Sequence, residues 1–269
     1  MSPIKDLKVI CIAVNEDGTF SQGDIIVGAV IFRLTKDVKV KSVSLKAKGD
    51  ASAEWSEGNT KFISHWRYFK VKKYLVEKND KGRRFYSFQT WIDDMPSSYK
   101  GNSGRIVYMF EAKISRSWRW SSEAQKEIKF VSQSCPPTAQ LMVNSAVIHV
   151  KNDISVKCFL LFISGSLPTV SFFLPFSLPS PWCETLSVVA KICNSSSKDT
   201  RPKFKLQQKT VYRCKKHTNV TYKTLFKMVG DIIGPNSEQT VSCQLKIPDD
   251  AIPTLHNCEI ISVEYDIKV

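Results

Sequence analysis

Hydrophobic and polar residues alternate along much of the chain with a period of two. One stretch places Ile106, Tyr108, Phe110, Ala112 and Ile114 at every second position. The stretches 186–192 and 261–269 alternate in the same way. This period is typical of β-strands that bury one face and leave the other in water. No long stretch shows the apolar stripe of an amphipathic helix, so the pattern predicts strands throughout.

Turn signals rich in glycine, asparagine and aspartate separate these strands at short intervals. They lie at residues 17–18, 23–24, 49–50, 57–59, 79–82 and 101–104. We expect Gly23 and Gly49 in turns, because glycine adopts positive φ at no steric cost. The alternation also changes phase at Ser42 and Val43, which predicts a β-bulge.

Many short strands with frequent turns predict an all-β fold built from antiparallel sandwiches. A length of 269 residues favours two domains. The strand pattern is interrupted at residues 132–137, where Pro136 and Pro137 suit a linker. We therefore place an N-terminal sandwich at residues 1–133, a linker at 134–150 and a C-terminal sandwich at 151–269.

The net charge and the cysteine content limit the class of ligand and the cellular compartment, but they do not identify one function. The net charge of +14 attracts phosphates, acidic peptides, nucleic acid or anionic lipid alike. None of the eight cysteines has CxxC or zinc-finger spacing, which indicates reduced thiols in an intracellular protein. The N-terminus is too short and too charged for a signal peptide, and the sequons at Asn194 and Asn219 are therefore expected to be silent.

Candidate chemistry is sparse. No nucleophile, phosphate-loop or metalloprotease motif is present, and the four histidines lie far apart in sequence. The sequence therefore predicts a protein that is not an enzyme and that needs no metal or cofactor.

Residues 158–183 form a long uncharged segment, and the next charged residue is Glu184. Within this segment, residues 159–176 are strongly apolar. Its prolines favour a buried strand followed by a loop over a membrane span.

The stretch 66–74 interleaves aromatic residues with cations. Its cations could contact phosphates while its aromatic rings stack on the bases of single-stranded nucleic acid. An ordinary strand with its lysines in water is the favoured interpretation, and such a basic strand could also pair with an acidic or phosphorylated peptide. We take Arg67, Lys70, Lys72 and Lys73 as the candidate acidic-ligand surface. A second basic cluster spans 203–216 and is interpreted as a solvated face.

Several strings resemble the α-arrestins, the arrestin-domain-containing proteins. In the first half these strings are 19–24 with 27–30, 46–51 with 55–57, 95–108, and 112–119. In the second half, 190–197 and 263–265 are similar to the family's C-terminal domain. The strings cover nearly the whole chain in the family's order, although 83–91 is compressed and 175–182 departs from the family pattern. They are mainly scaffold residues and so indicate the fold more than a partner.

The resemblance implies two arrestin-like antiparallel β-sandwiches of immunoglobulin-like type. The second is expected to be incomplete, because the chain stops at Val269 inside a strand pattern. It also implies a non-enzymatic adaptor or scaffold in intracellular protein transport, binding cytosolic segments of membrane receptors or transporters for endocytosis, endosomal sorting or ubiquitin-linked regulation. The implied location is cytoplasmic, with recruitment to the plasma membrane and endosomes and with peripheral membrane association.

Family members carry PPxY motifs for ubiquitin-ligase WW domains, but here Pro136-Pro137 is followed by Thr138-Ala139 and no PPxY exists. We therefore expect this chain to bind cargo without itself recruiting such a ligase, and tight binding to isolated WW domains in a calorimeter would contradict that expectation.

The alternative function is a basic protein that binds nucleic acid or anionic lipid, although the family resemblance predicts no nucleic-acid partner. Nucleic-acid affinity would fall steeply with salt.

Overall fold

The structure is a computed structural model in which sixteen β-strands are described. It describes residues 3–13, 18–36, 40–76, 85–91, 95–117, 119–132, 145–151, 154–162, 185–246, 248, 251–252, 254–255 and 257–268. The strands are β1 (Ile4–Ile12), β2 (Thr19–Ser21), β3 (Ile25–Leu34), β4 (Val40–Glu57), β5 (Thr60–Val76), β6 (Phe85–Trp91), β7 (Tyr99–Gly101), β8 (Gly104–Arg116), β9 (Arg119–Val131), β10 (Ser145–Lys151), β11 (Ile154–Phe162), β12 (Thr185–Asn194), β13 (Lys203–Cys214), β14 (His217–Val229), β15 (Ser237–Lys246) and β16 (Ile261–Lys268). The predicted all-β fold is confirmed.

The chain divides into two compact units. The first comprises Met1–Gln133 together with the short segments Arg213–His217 and Asn257–Ile260, and the second comprises the remainder. β10 begins at Ser145 and pairs with β11 in the second unit. The domain limits derived from the sequence stay a prediction.

Two sheets form the first unit. One has the order β1-β3-β6, and the other has the order β2-β9-β8-β4-β5 with β7 paired to β8. All of these pairings are antiparallel except β2 with β9. β5 stands at the end of the larger sheet.

The core of the first unit includes the alternating positions that the sequence pattern identified on β8. Tyr108, Phe110 and Ile114 of β8 are buried, as are Val30 and Phe32 of β3. Full burial of one such side chain contributes roughly 1.5–3 kcal/mol. The predicted inward face of β8 is confirmed at all five of its positions.

Gly49 was expected in a turn, and that expectation is wrong. β4 continues through Gly49 and Asp50, and Gly49 lies opposite Phe69 on β5 and Tyr108 on β8. The two rings are stacked with centroids 6.2 Å apart. A Cβ on Gly49 would lie 2.7 Å from Phe69 Cε1 and 2.7 Å from Tyr108 Cε1. Close approach of the rings, not backbone freedom, is the reason for glycine here.

The predicted turns at Gly23 and Gly58 are confirmed, with φ values of 83° and 56°. At the first of them, Ser21 N donates to Asp24 Oδ2 at 2.6 Å and Asp24 N donates to Ser21 O at 3.1 Å. The bulge predicted near Ser42 and Val43 is also confirmed, because the pairing of β4 shifts register on both sides of them.

A short segment before β7 is fastened to β9 through serine hydroxyls. Phe130 N donates to Ser98 Oγ at 3.0 Å, and Ser132 N donates to Ser97 Oγ at 2.9 Å. Tyr108 donates its hydroxyl to Pro96 O at 2.7 Å. These bonds satisfy buried polar groups and fix the Tyr108 ring in the core.

The second unit contains two antiparallel sheets, with the orders β10-β11-β12-β15 and β14-β13-β16. Val188, Ala190 and Ile192 of β12 are buried, and so are Val263 and Tyr265 of β16. The alternation predicted for these two strands is confirmed at these positions. The strand predicted at the start of the uncharged segment is β11, and the rest of that segment, 163–183, lies outside the described residues.

Asn194 closes the end of β12 and has no exposed surface. Its amide Nδ2 donates to Lys198 O at 2.8 Å, Ile233 O at 3.1 Å and Gly234 O at 2.9 Å. Its Oδ1 accepts hydrogen bonds from the backbone N and the Oγ of Ser196. The amide of this sequon is therefore fully occupied by structural hydrogen bonds.

Candidate functional site

The four cations predicted to form one surface all lie on β5, but they do not share one face. Arg67 lies opposite Asp50, Lys70 opposite Lys48, and Lys72 opposite Lys46. Lys73 lies opposite Leu45, which is buried on the core side of β4. Directly opposed residues project to the same side of a sheet. Arg67, Lys70 and Lys72 therefore share the outer face, and Lys73 belongs to the inner one.

A bulge explains why Arg67 and Lys70 share a face although three positions separate them. Gly49 pairs with Phe69 and Asp50 pairs with Arg67, so Tyr68 is an extra residue on β5. In a regular strand an odd separation places two side chains on opposite faces, and one extra residue reverses that relation.

Two lysines of β4 complete a cluster on the outer face. Lys46 and Lys48 lie directly opposite Lys72 and Lys70. We call these four residues the lysine ladder. Opposed pairs in a sheet lie about 5 Å apart and successive pairs on one face about 7 Å apart. Like charges directly opposite each other destabilise a sheet.

One carboxylate partly neutralises the ladder. Glu111 on β8 accepts from Lys46 Nζ and from Lys48 Nζ, each at 2.5 Å. Partial burial on its own raises the pKa of Glu111, but hydrogen bonds and charge from the two lysines outweigh it and leave the pKa lowered. Glu111 is therefore ionised at neutral pH. Among the described ion pairs none involves Lys70 or Lys72, so the β5 side of the ladder keeps its charge.

Local contacts distinguish Arg67 from the ladder. Its Nε is 2.7 Å from Asp50 Oδ1, and His65 Nε2 is 3.2 Å from the same oxygen. Arg67 is thus committed to an internal ion pair.

Lys72 contacts a neighbouring tyrosine. Its Nζ donates to the Tyr74 hydroxyl at 3.1 Å and lies 4.7 Å from the centre of that ring. These contacts orient the ammonium group of Lys72 but leave its charge unpaired.

The aromatic residues of 66–74 are mostly separated from the ladder. Trp66 lies opposite Ala51 and Phe69 opposite Gly49, both on the inner face. Nucleic-acid binding by stacking requires rings and cations on one surface. Only Tyr74, opposite Ser44, stands on the ladder's face. The arrangement favours a ligand that is recognised by its negative charge over a nucleic acid that is recognised by stacking of its bases.

The described residues contain no group of three or more histidine, cysteine or acidic side chains able to hold a metal ion. The five cysteines whose side chains are described are free thiols. Burial raises the pKa of Cys11 and Cys243 to about 11, so both thiols are protonated at neutral pH. Within the described ranges, no helix has the length and apolarity needed to cross a membrane.

The second basic cluster is less concentrated than the ladder. Lys209 Nζ is 3.0 Å from Glu264 Oε2, and this hydrogen bond raises the pKa of Lys209. Arg213 and Lys215 fall in a segment that belongs to the first compact unit, whereas Lys203 and Lys205 belong to the second. The residues of this cluster are therefore divided between the two units.

Sequence reasoning did not identify Lys46 and Lys48 as site residues. Their alternation with the apolar Leu45 and Ala47 did carry a signal, because it places both lysines on the outer face of β4. The pairing partners on β5 lie 22 and 26 residues away, and no local pattern specifies them.

The chain is thus an all-β protein of two compact units, and the first unit carries the lysine ladder on its larger sheet. Comparison with known proteins identifies two domains of one all-β family. Residues 9–134 match the family described as "Arrestin (or S-antigen), N-terminal domain", and residues 183–269 match "Arrestin (or S-antigen), C-terminal domain".

The chain belongs to the arrestin family and, within it, to the α-arrestins. It is 25% identical over 275 residues to Arrestin domain-containing protein 4 of Mus musculus, covering 94% of this chain and 64% of that protein. It is 22% identical to Thioredoxin-interacting protein of Homo sapiens, covering 100% of this chain and 71% of that protein. With Arrestin domain-containing protein 17 of Caenorhabditis elegans the identity is 23%, over 95% of this chain and 65% of that protein. The chain thus spans about two thirds of the length of these relatives.

Proposed function

We propose that this chain is a non-enzymatic adaptor that binds acidic cytosolic segments of membrane receptors or transporters. In this role it would direct them into endocytosis, endosomal sorting or ubiquitin-linked regulation. Membership of the arrestin family supports an adaptor role. The observation that carries the proposed ligand chemistry is the lysine ladder, in which Lys46 and Lys48 oppose Lys72 and Lys70 on the outer face of the sheet.

The ladder is better explained by a ligand than by protection of the sheet edge. Lysines on an end strand such as β5 discourage unwanted pairing with other chains. That purpose requires no second row on β4, which is an interior strand of its sheet. An anionic ligand lying across both rows would relieve the repulsion within each opposed pair.

The spacing suits an extended peptide. Alternate residues of an extended chain repeat about every 7 Å, the same interval that separates the two lysine pairs along the strands. A segment with carboxylates or phosphates at every second residue would place one anion over each pair. In this proposal Lys46, Lys48, Lys70 and Lys72 bind the ligand, Arg67 holds Asp50 at the border of the site, and Lys73 takes no part.

We predict that Lys72→Glu weakens binding of such a peptide roughly tenfold, equivalent to about 1.4 kcal/mol. The expected cause is the loss of one attractive contact and the gain of one repulsive contact at the ladder. The measurement is fluorescence anisotropy of a labelled peptide with glutamates at alternate positions, at physiological salt.

Lys73→Glu is the matched control, because it makes the same change of charge at the next residue of the same strand but on the inner face. We expect it to change affinity by no more than about twofold, through net charge alone. Equal losses in the two variants would show that the peptide responds only to overall charge, and the ladder would then be rejected as a site. Tighter binding of single-stranded RNA than of the peptide at physiological salt would favour the nucleic-acid alternative.

The proposed place of action is the cytoplasm, with recruitment to the plasma membrane and endosomes through the bound membrane proteins. Pull-down from cytosol and solubilised membranes, read by mass spectrometry at low and physiological salt, tests this part. Receptors, transporters and endosomal proteins retained at physiological salt would support it. RNA-binding proteins lost with salt or nuclease would contradict it.

A further inference from the structure

The first turn-proximal residues of β9 include an unusually exposed tryptophan. Trp120 is 93% exposed, although its ring is the largest side chain in proteins and is buried on average. It belongs to β9 just after the turn, where Arg116 pairs with Arg119. Arg116 Nη2 donates to Trp120 O at 2.7 Å, which ties the backbone of Trp120 to the end of β8. The indole is thus presented from a braced hairpin.

Two cationic residues, Lys41 and Arg116, lie at the strand ends beside this tryptophan. Val40 of β4 pairs with Arg116, and the exposed Lys41 follows it, so β4, β8 and β9 bring their ends together. We call Lys41, Arg116 and Trp120 the hairpin end. The neighbouring stretches 40–47, 112–116 and 119–122 contain no aspartate or glutamate. The first acid along β9, Glu123, is paired with Lys113 at 2.7 Å.

We propose that the hairpin end docks on an anionic membrane surface. Tryptophan is favoured at the boundary between lipid and water, where its ring is apolar and its N–H remains in a polar layer. Lysine and arginine beside it are attracted to anionic headgroups. The ring of Trp120 by itself offers far less than the roughly 800 Å² per partner of an ordinary protein interface. A planar membrane requires no such matching surface.

This site is distinct from the lysine ladder. Lys46 pairs with Glu111, and Arg116 lies five residues further along β8, so the separation is roughly 17 Å along the strand. The inference does not depend on the proposed adaptor function, since it concerns lipid alone. If both hold, the hairpin end would rest on the bilayer while the ladder meets an acidic segment close to the membrane.

The test is binding of the full chain to protein-free phosphatidylcholine vesicles, with and without phosphatidylserine, measured by cosedimentation. We expect Trp120→Ala to reduce the partition coefficient on phosphatidylserine vesicles roughly tenfold, from the apolar area withdrawn from water. We expect Lys41→Ala to reduce it roughly fivefold, and to have little effect on phosphatidylcholine alone. Lipids brominated near the headgroup should quench part of the tryptophan fluorescence of the original chain, and Trp120→Ala should lose that part.

Trp66→Ala is the matched control, because it removes the same ring from a 46% exposed position elsewhere on the same sheet. Unchanged vesicle binding by this variant, with loss in Trp120→Ala, supports the proposal. Equal binding by all variants would assign lipid attraction to the net charge of +14 and overturn the proposal, as would absence of binding to phosphatidylserine vesicles. Loss of acidic-peptide binding in Trp120→Ala with vesicle binding intact would assign the hairpin end to the peptide surface, which also overturns it.

Discussion

Asn194→Ala is expected to destabilise the second compact unit by about 3–5 kcal/mol. The substitution removes the donor to the carbonyls of Lys198, Ile233 and Gly234 and the acceptor for Ser196. Asn194 has no exposed surface, so water cannot readily replace these bonds. Each buried polar group left without a partner costs about 1–3 kcal/mol. A loss of this size is a large share of the 5–15 kcal/mol typical of a domain.

Hydrogen exchange is the appropriate measurement, because a chain of two units need not unfold in one step. We expect faster exchange at β12 and β15, whose pairing ends at Asn194 and Ser237, and little change in β4 and β8 of the first unit. Asn194→Asp should be at least as damaging, since it turns a second acceptor oxygen towards three carbonyl oxygens. Asn219→Ala, at the other sequon on a half-buried position of β14, should stay within about 0.5 kcal/mol. Protection of β12 that survives in Asn194→Ala would contradict the role assigned to the amide.

The strand content and the fold were predictable because they depend on local alternation. The positions chosen from that alternation, such as Tyr108 and Tyr265, are buried in the structure. The resemblance of ordered strings then indicated the α-arrestins, which the comparisons confirm. Local pattern was sufficient here because burying one face of a strand requires only the correct period.

The composition of the site was not predictable to the same degree, because it depends on register. Lys72 and Lys73 are neighbours in sequence and therefore project to opposite faces. Arg67 joins the face of Lys70 only through the extra residue Tyr68. No local pattern marks where that bulge falls, since it is fixed by the pairing of β5 with β4. The partners Lys46 and Lys48 are likewise assigned by pairing over long sequence separation.

Gly49 links the core to the candidate surface. It lies between Lys48 of the ladder and Asp50, the partner of Arg67. The bulge on β5 occurs at this point, so the rings of Phe69 and Tyr108 and the register of the outer face depend on the same residue. A change at Gly49 would therefore alter the geometry of the site as well as stability.

Gly49→Ala is accordingly expected to destabilise the first compact unit by about 2–4 kcal/mol, at or above the usual range for overpacking. The new Cβ would lie 2.7 Å from carbon atoms of both rings. Tyr108 is only 1% exposed and its hydroxyl is bonded to Pro96 O, so its ring cannot swing aside without breaking that bond. Chemical denaturation followed by exchange at β4, β5 and β8 measures the loss.

Two further variants separate close approach from backbone strain as the cause. Phe69→Ala in the Gly49→Ala background should recover part of the stability, which a double-mutant cycle would detect as coupling of about 1 kcal/mol or more. Gly58 has positive φ and no atom within 4 Å of its added Cβ, so Gly58→Asn should cost little because asparagine tolerates that conformation. Additive effects at Gly49 and Phe69 would show that the rings do not exclude a side chain there. Observed coupling, together with weaker peptide binding by Gly49→Ala, would instead show that the two rings over Gly49 hold β5 in the register on which the lysine ladder depends.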